Sequence, residues 1–569
     1  MRQWIRVCAA ALVFSLAAAG QAPEQKCRVE GTVLNSITGH PVRKARLTLA
    51  PLKDGEPVTG ATDAQGKYAL ANVPPGEYLL DASRDGYSAQ RYGAKKPGEE
   101  QKGETLSLAP GSVKTKVDLQ MTPLGAIFGH IRDEDGDPIR QVEVDVMAYG
   151  YGPAGKALQP RGSSQTDASG EFRIFDLPPG RYYLRAKPLS SQMPGQAQPG
   201  ESYAMVFYPN ATQPTGATPV DLSAGQEQRG LDLVLHPVAT ASIRGRVVKP
   251  AGGENCAAAL EGADGTDLSD IATGFAVTGA VFTIQRSAVI EGPPIPDEFM
   301  FPGGAKVGND GKFELRNIPV GSHTLTGSCS VGKQRYRTKM PIQLEAAGLE
   351  NVELRPVGPS TIVGQVRIEG ESKSKVTETR VMLAEPGPGI IVDGPGPPVA
   401  PGTVGEDGAF AFPDLAPNLY HINLETPPDV YVKSVAYGGR DVRESGVDLS
   451  AGGMSVAVEV VLSANGATIE GSVENGGDAR VTLIPSDPQQ VRTLARSVLA
   501  RPDGHFSFSA VAPGRYKLFA WEDVDVNAAL YDAEFRKPFE AKGQTIDVAE
   551  KQKATAQLKL IPKSERRPE

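Results

Sequence analysis

Apolar and polar residues alternate in short runs along this chain, and turn residues separate the runs. In one such run, Tyr68 and Leu70 stand at every second position after Gly66. A period of two is typical of a β-strand with one buried face. Asp63 and Gly66 favour a turn just before it, because an aspartate side chain bonds nearby backbone and glycine accepts a positive φ. The pattern predicts a unit made of a tight turn followed by a strand.

This turn-and-strand unit occurs five times, which indicates a tandem repeat of one β unit. After the second turn of each unit, where proline precedes glycine, a further strand is expected to start. In the fourth copy Asn418 replaces that glycine, which predicts a positive φ there, because asparagine tolerates the left-handed region. The turn glycines are Gly66, Gly170, Gly311, Gly408 and Gly504; the aromatic residues two positions later are Tyr68, Phe172, Phe313, Phe410 and Phe506; and the strand after the second turn begins at Tyr78, Tyr182, His323, Tyr420 or Tyr516.

Upstream of each unit lies a strand with a glycine on its apolar face. A glycine in that place weakens a strand and usually marks the close approach of something bulky. We therefore expect the aromatic residue of the turn unit to fill the space above it. The five glycines are Gly31, Gly129, Gly245, Gly364 and Gly471.

The chain is predicted to be all-β: five tandem antiparallel β-sandwich domains, Ig-like or transthyretin-like, each with about seven strands. Joints of only a few residues favour a rod of touching neighbours. A helix is expected over 524–539, ended by Pro538. The predicted ranges, called blocks 1 to 5 below, are 28–123, 124–238, 239–357 with an insertion at 249–305, 358–465 and 466–562, followed by a polar tail at 563–569.

Residues 1–20 have the features of a cleaved secretory signal peptide: Arg2 and Arg6, then an apolar run that ends in small residues. The run is too short to span a membrane, and no later segment is longer, so no transmembrane segment is expected in the mature chain. The protein is therefore expected to be secreted, periplasmic or on the cell surface. A net charge of −8 offers no basic surface for nucleic acid.

Three cysteines follow the predicted signal peptide, and export would allow disulfides. Cys256 and Cys329 fall within block 3, where a bridge between them and two separate thiols are equally compatible with the sequence. Cys27 is then left over, and we expect a free thiol, with a mixed disulfide or an intermolecular link as the alternatives.

Sequence motifs predict no catalytic, cofactor-binding or metal-ligating residue. None of the six histidines is followed by glutamate at the third position, as a zinc carboxypeptidase would require. Neither a nucleophile elbow nor a phosphate-binding loop is present. The acidic run from Asp133 to Asp137 is compatible with a calcium loop, but it lacks the spacing and the distal glutamate, which favours a hairpin turn. The chain is not expected to be an enzyme.

Aromatic residues outside the repeat register are the candidates for ligand contact. A sugar-binding site needs ring faces beside polar groups. Packing at strand edges or under a helix would explain the same rings, and the sequence favours that explanation. The candidates are Tyr149, Tyr151, Tyr203, Phe207, Tyr208 and Trp521.

The repeats resemble the carboxypeptidase regulatory-like domain, a transthyretin-like sandwich related to the Cna-B and starch-binding-like folds. The motifs are clearest in block 1: Gly39-x-Pro41-Val42, Thr62-Asp63-x-x-Gly66-x-Tyr68 and Pro74-Pro75-Gly76-x-Tyr78. Block 2 repeats all of them, whereas blocks 3 and 4 lack the Gly-x-Pro-Val turn. The resemblance implies a β-sandwich that serves as an accessory module of exported proteins, and such a fold does not name an activity.

We therefore expect an exported, non-catalytic spacer, scaffold or adhesin at the cell envelope. A carbohydrate-binding protein that uses the exposed rings of block 2 or block 5 is the first alternative. An accessory subunit of a secreted hydrolase or of an outer-membrane uptake system is the second. A polysaccharide or another envelope protein would be the partner.

Overall fold

The structure is a computed structural model that describes residues 26–53, 55–94, 103–152, 155–188, 201–260, 304–385 and 402–565. The predicted signal peptide 1–20 lies outside the described residues, as do most of the insertion 249–305 and the end of the tail 563–569. β-Strands dominate the described part and confirm an all-β fold of tandem sandwiches. No helix within it is long and apolar enough to cross a membrane.

Blocks 1 and 2 each contain two sheets. In block 1 the first sheet comprises Cys27–Asn35, Lys67–Val73, Val113–Lys114 and Leu119–Met121, and the second Arg46–Pro51, Val58–Ala61, Gly76–Ser83, Gln90–Arg91 and Leu106–Leu108. In block 2 the first comprises Gly125–Arg132, Glu171–Leu177, Glu227–Gln228 and Leu233–Val234, and the second Val142–Gly152, Gly155–Gln165, Gly180–Pro188, Val206–Phe207 and Val220–Leu222, with a 3-10 turn at Pro214–Gly216.

Blocks 3 and 4 repeat the arrangement. In block 3 the first sheet comprises Pro237–Val247, Lys312–Pro319, Leu349–Leu354 and Glu201–Tyr203, and the second Glu254–Leu260, Gly304–Lys306, Gly321–Val331 and Gln334–Leu344. In block 4 the first comprises Ser360–Glu369, Ala409–Leu415, Tyr431–Tyr437, Arg440–Asp441 and Ser455–Ser463, and the second Arg380–Ala384, Gly402–Thr403, Leu419–Glu425 and Val447–Asp448, with a 3-10 turn at Val376–Glu378.

Block 5 has one continuous seven-stranded sheet system and holds the α-helices of the described chain. Trp521 pairs with Ile561 in parallel, and this pairing joins what are two separate sheets elsewhere. The strands are Ala467–Glu474, Arg480–Pro485, Arg496–Leu499, His505–Val511, Gly514–Trp521, Gln544–Val548 and Lys553–Ile561; the α-helices are Val491–Leu494, Val526–Tyr531 and Ala533–Arg536; and the 3-10 turns are Pro488–Gln490, Lys537–Lys542 and Lys563–Glu565.

Strand direction differs from the predicted antiparallel sheets in every block, because each contains at least one parallel pair. The opening and closing strands run parallel: Val33 pairs with Leu119 in block 1, and Val363 pairs with Ala457 in block 4. Both strands belong to the first sheet, and the chain passes through the second sheet between them. Each block is therefore a mixed sandwich.

The predicted turns form as expected, and a further left-handed position appears beyond them. The turn glycines have φ between +71° and +83°, and Asp63 Oδ1 accepts hydrogen bonds from Gln65 N at 2.9 Å and Lys67 N at 2.8 Å. The positive φ predicted for Asn418 is wrong. The left-handed residue lies four positions earlier, at Asp414 (φ +56°), where the strand bulges against Ser360–Ile362. In block 4, the bulge and not the turn at Pro417-Asn418 therefore holds the left-handed residue.

The predicted packing of an aromatic ring over each strand glycine is confirmed. Gly364 pairs directly with Phe410, and a Cβ placed on Gly364 would lie 2.1 Å from Phe410 Cζ. In the other four blocks such a Cβ would also meet a backbone oxygen in the closing strand or just before it, for example Ala556 O at 2.2 Å from position 471. These glycines let the ring and the parallel strand approach closely.

The helix expected over 524–539 forms in three pieces. Asp525 caps the first piece and Asp532 caps the second, since each carboxylate accepts hydrogen bonds from two backbone N–H groups of the turn that follows it. The helix is thus interrupted at Asp532, and Pro538 is the second residue of the 3-10 turn Lys537–Lys542 and does not end the helix.

The chain falls into two compact units. The first contains block 1 with residues up to Ile127, 175–180 and 222–228. The second contains the rest of block 2 together with blocks 3, 4 and 5.

Candidate functional site

The repeated tyrosines are buried structural residues. Tyr516 Oη donates a hydrogen bond to Ala512 O at 2.8 Å, and Tyr420 Oη donates to Ala416 O at 3.0 Å. Tyr78 makes the same bond to Pro74 O at 2.9 Å. Burial raises the pKa of Tyr516 to about 12. Each hydroxyl bridges its strand to the turn four residues earlier, so these rings belong to the fold.

Trp521 was one of the candidates for ligand contact, and its surroundings are the packing that the sequence favoured. Its side chain is 0% exposed, and its Nε1 donates a hydrogen bond to Thr482 Oγ1 at 3.0 Å. Phe519 stacks on the indole with ring centroids 5.4 Å apart, and Phe539 meets it edge-on at 5.3 Å. No ring face is left for a sugar, because the short helices of block 5 cover it.

Three candidates of block 2 are likewise buried. Tyr203 lies in the short strand Glu201–Tyr203, which pairs with the first strand of block 3, so it joins two blocks of the sequence. Phe207 lies opposite Arg185 in the second sheet. Tyr151 is 7% exposed. These three candidate rings are buried, in line with the packing that the sequence favoured, and offer no exposed face to a ligand.

Tyr149 and Tyr208 remain half-buried. Tyr183 contacts the ring of Tyr149 edge-on at 5.1 Å, and Lys156 Nζ lies 4.5 Å from the ring centroid. The ammonium group occupies the position over the ring that a ligand cation would take. Tyr149 lies on the strand Val142–Gly152, whereas Tyr208 lies in the turn that follows the strand Val206–Phe207.

The two aromatic sets of the sequence nevertheless come near each other. The strand Val142–Gly152, which carries Tyr149 and Tyr151, lies against the helix Val526–Tyr531 of block 5. Ala529 and Leu530 of the same helix belong to the apolar cluster around Trp521. The structure therefore brings the two sets together through a contact within the chain.

A buried ion pair escaped the sequence analysis. Asp145 and Arg185 lie directly opposite each other in the second sheet of block 2, and Arg185 Nη2 donates to Asp145 Oδ2 at 2.6 Å. Burial raises the pKa of Asp145 and outweighs the lowering by Arg185. Glu143 and Lys187 form a second pair beside it. The sequence carried a signal for both pairs: acidic residues two positions apart on one strand, and basic residues two positions apart on its partner.

Two of the cysteines form a disulfide in the structure: Cys256 and Cys329 lie on neighbouring strands of block 3, with an S–S distance of 2.06 Å. Cys27 is a buried thiol whose Sγ donates a hydrogen bond to Ala109 O at 3.0 Å. The bridge closes a loop that contains most of the predicted insertion.

The acidic run of block 2 forms a tight turn. Asp133 Oδ1 accepts hydrogen bonds from Asp135 N at 3.1 Å and Asp137 N at 2.8 Å, and Gly136 has a φ of +88°. The Asp133 carboxylate therefore stabilises the turn through these hydrogen bonds to backbone N–H groups, as expected for a hairpin turn. Across the residue ranges given above, no three His, Cys, Asp or Glu side chains converge as a metal site would require.

Comparison with known proteins supports the resemblance of block 1. Residues 28–122 match the family model of the carboxypeptidase regulatory-like domain. A search among curated proteins found no match.

Among solved structures, the TIE protein of Bacillus anthracis is 13% identical over 58% of this chain, with a TM-score of 0.17, and the match spans half of that protein. The minor pilin of Streptococcus agalactiae is 16% identical, covering 37% of this chain and 97% of the pilin, with a TM-score of 0.22. The shaft pilin of Lactobacillus rhamnosus GG is 11% identical over 37% of this chain and 97% of that pilin, with a TM-score of 0.20.

Proposed function

We propose that this protein is exported and serves as a non-catalytic spacer or scaffold at the cell envelope, with adhesion as one form of that role. One observation carries the proposal: the residues that define the repeat pack within their own block. Each strand glycine receives the ring of its own turn unit, and the repeated tyrosines bond the turn that precedes them. Repeated residues that build a core are typical of a structural module, which acts as a spacer or scaffold.

Export is supported by two independent features. The sequence of residues 1–20 has the pattern of a signal peptide. The disulfide between Cys256 and Cys329 is typical of an oxidising compartment such as the periplasm or the cell exterior.

Fractionation of bacterial cells that produce the full precursor, with a C-terminal tag, tests export. We expect the protein in the periplasm, envelope or medium, with an N-terminus after residue 20 and Cys256 and Cys329 protected from thiol-labelling reagents. Retention in the cytoplasm with an intact N-terminus would contradict the proposal.

The scaffold role is tested by chemical cross-linking of intact cells, followed by purification through the tag. We expect envelope proteins among the cross-linked products. A secreted hydrolase that co-purifies in fixed ratio would favour the accessory-subunit alternative instead. Retention of the full chain on insoluble polysaccharide, lost in Tyr149→Ala or Tyr208→Ala, would favour carbohydrate binding, because these are the two candidate rings that keep exposed surface.

A further inference from the structure

The short helix Val526–Tyr531 is a feature that the repeat does not explain. It lies between the strands Gly514–Trp521 and Gln544–Val548, whereas the described residues of blocks 1 to 4 contain no α-helix. Asp525 Oδ1 caps its start by accepting from Asn527 N at 2.9 Å and Ala528 N at 3.0 Å. Arg536 Nη1 donates to Leu530 O at 2.8 Å near its end. Both ends of the helix are therefore held by side chains of its own segment.

One side of this helix covers the outer face of a sheet in block 5. The core of the sandwich uses Val481 and Leu483, and the alternate position Ile484 belongs to a second cluster with Phe519 and Trp521. Ala529 and Leu530 of the helix join that second cluster. An outer sheet face that would otherwise meet water is thus covered by the helix.

The other side of the helix meets block 2. Ala528 is 1% exposed, and the cluster around Trp521 includes Ala529 and Leu530 but not Ala528. The helix lies against the strands Val142–Gly152 and Gly155–Gln165. Alanine is small enough to let a helix backbone approach a strand closely.

The surface of block 2 that receives the helix is unusually buried for an outer face. Val144 and Val146 pair with apolar partners on the core side, so the alternate residues Asp145 and Met147 point away from that core. Asp145 is 5% exposed and Met147 is 4% exposed. In block 1, the corresponding outward residues Thr48 and Ala50, which pair with Asp81 and Leu79, are only half-buried. An outer face is expected to be solvated unless another layer covers it.

We propose that the helix Val526–Tyr531 is an intramolecular docking element that forms a middle layer between the outer sheet faces of blocks 5 and 2. Two blocks that are far apart in sequence are thereby held together as one body. The occupant of the outer face of block 2 is this chain's own helix, and two of the candidate rings, Tyr149 and Tyr151, lie on the strand where it docks. An external partner would have to displace the helix to reach that strand.

Methionine oxidation of the full chain lacking residues 1–20 provides the test, because Met147 is a buried thioether on the proposed contact face. Ala528→Arg places a long charged side chain at the buried contact, and Asn527→Arg places the same side chain at the exposed neighbouring position. With dilute peroxide and mass spectrometry, we expect oxidation of Met147 to become several-fold faster in Ala528→Arg and to stay unchanged in Asn527→Arg. Met340, half-buried in block 3, and Met121, in the core of block 1, serve as internal references.

Trp521 monitors the fold of block 5, since it is the only tryptophan after residue 20. Met147 oxidation that stays slow in Ala528→Arg, with Trp521 emission unchanged, would overturn the proposal, because block 2 would then cover Met147 by itself. If Ala528→Arg shifts the Trp521 emission, a second variant, Met147→Arg, places the charge on the block 2 face of the contact instead. Hydrogen exchange of the helix is then measured in Met147→Arg. Faster hydrogen exchange in 526–531, with the strand Val142–Gly152 still protected, supports docking, and unchanged exchange there refutes it.

Discussion

The strand glycines of blocks 4 and 5 allow a test of what the ring over each glycine contributes. A Cβ on Gly364 would meet only ring atoms of Phe410 among its three nearest neighbours, at 2.1, 2.5 and 2.8 Å. A Cβ on Gly471 would meet Ala556 O at 2.2 Å as well as Phe506 Cζ at 2.6 Å. The first clash is with a replaceable side chain, and the second is also with the backbone of a parallel strand. Removing the ring should therefore rescue block 4 alone.

The expected magnitudes follow from that difference. Overpacking a core typically costs about 1–3 kcal/mol, so Gly364→Ala should lower the free energy of unfolding of block 4 by about that amount. Combining Gly364→Ala with Phe410→Leu should recover at least about 1 kcal/mol relative to the sum of the single variants. Gly471→Ala with Phe506→Leu should be additive within about 0.5 kcal/mol, because the Ala556 carbonyl stays in place.

Native-state hydrogen exchange of the full chain measures these free energies locally, in the strands Ser360–Glu369 and Ala467–Glu474. Urea unfolding followed by Trp521 emission gives an independent value for block 5. Equal coupling energies in the two blocks would refute the reasoning, because the carbonyl of the closing strand would then be irrelevant. A Gly364→Ala variant as stable as the wild type would refute it as well.

Two further predictions concern blocks 3 and 4. The double variant Cys256→Ser, Cys329→Ser should destabilise block 3 by about 4 kcal/mol, because the bridge spans 73 residues and restricts the unfolded chain. The loss should appear as faster hydrogen exchange in the strands Glu254–Leu260 and Gly321–Val331. Exchange in block 4 should stay unchanged. Hydrogen bonds from Ser374, Ser372 and Lys373 N lower the pKa of Asp429 to about 2, so its stabilising contribution is present above pH 4 and is lost as the pH falls towards 2. Asp429→Asn should therefore unfold more readily than the wild type at pH 6, with a difference that shrinks between pH 4 and pH 2; a constant difference would contradict this.

The core of each block could be predicted from sequence because it follows from local rules. Alternation identifies the strands, the Asp and Gly of each turn identify the reversals, and a glycine on an apolar face identifies a close approach. Phe410 over Gly364 required no knowledge of the remainder of the chain. The same local rules placed the left-handed residue wrongly at Asn418, since a bulge depends on how two strands pair and Asp414 looked like an ordinary strand residue.

Pairing direction lies beyond those local rules. Val363 and Ala457 are parallel partners far apart in sequence, and their own alternation is the same in a parallel or an antiparallel pair. No local sequence pattern predicts the Trp521–Ile561 pairing that merges the sheets of block 5 either. Strand identity was therefore predictable, whereas the partners of the last strands were not.

The aromatic candidates show why one sequence signal is compatible with two interpretations. Tyr151 and Trp521 fall outside the repeat register, which indicates that these rings contact something other than the repeated core of the block. A sugar and a packed helix make similar demands on such rings, because both need an apolar face with a polar edge nearby. The two interpretations differ in whether another segment of the same chain packs on the ring face or leaves it open to a ligand. Here block 5 contributes the helix Val526–Tyr531, whose small Ala528 is buried on the side away from Trp521. In a tandem repeat, an aromatic residue outside the register together with an inserted helix elsewhere in the chain should therefore first be considered as two halves of an internal contact.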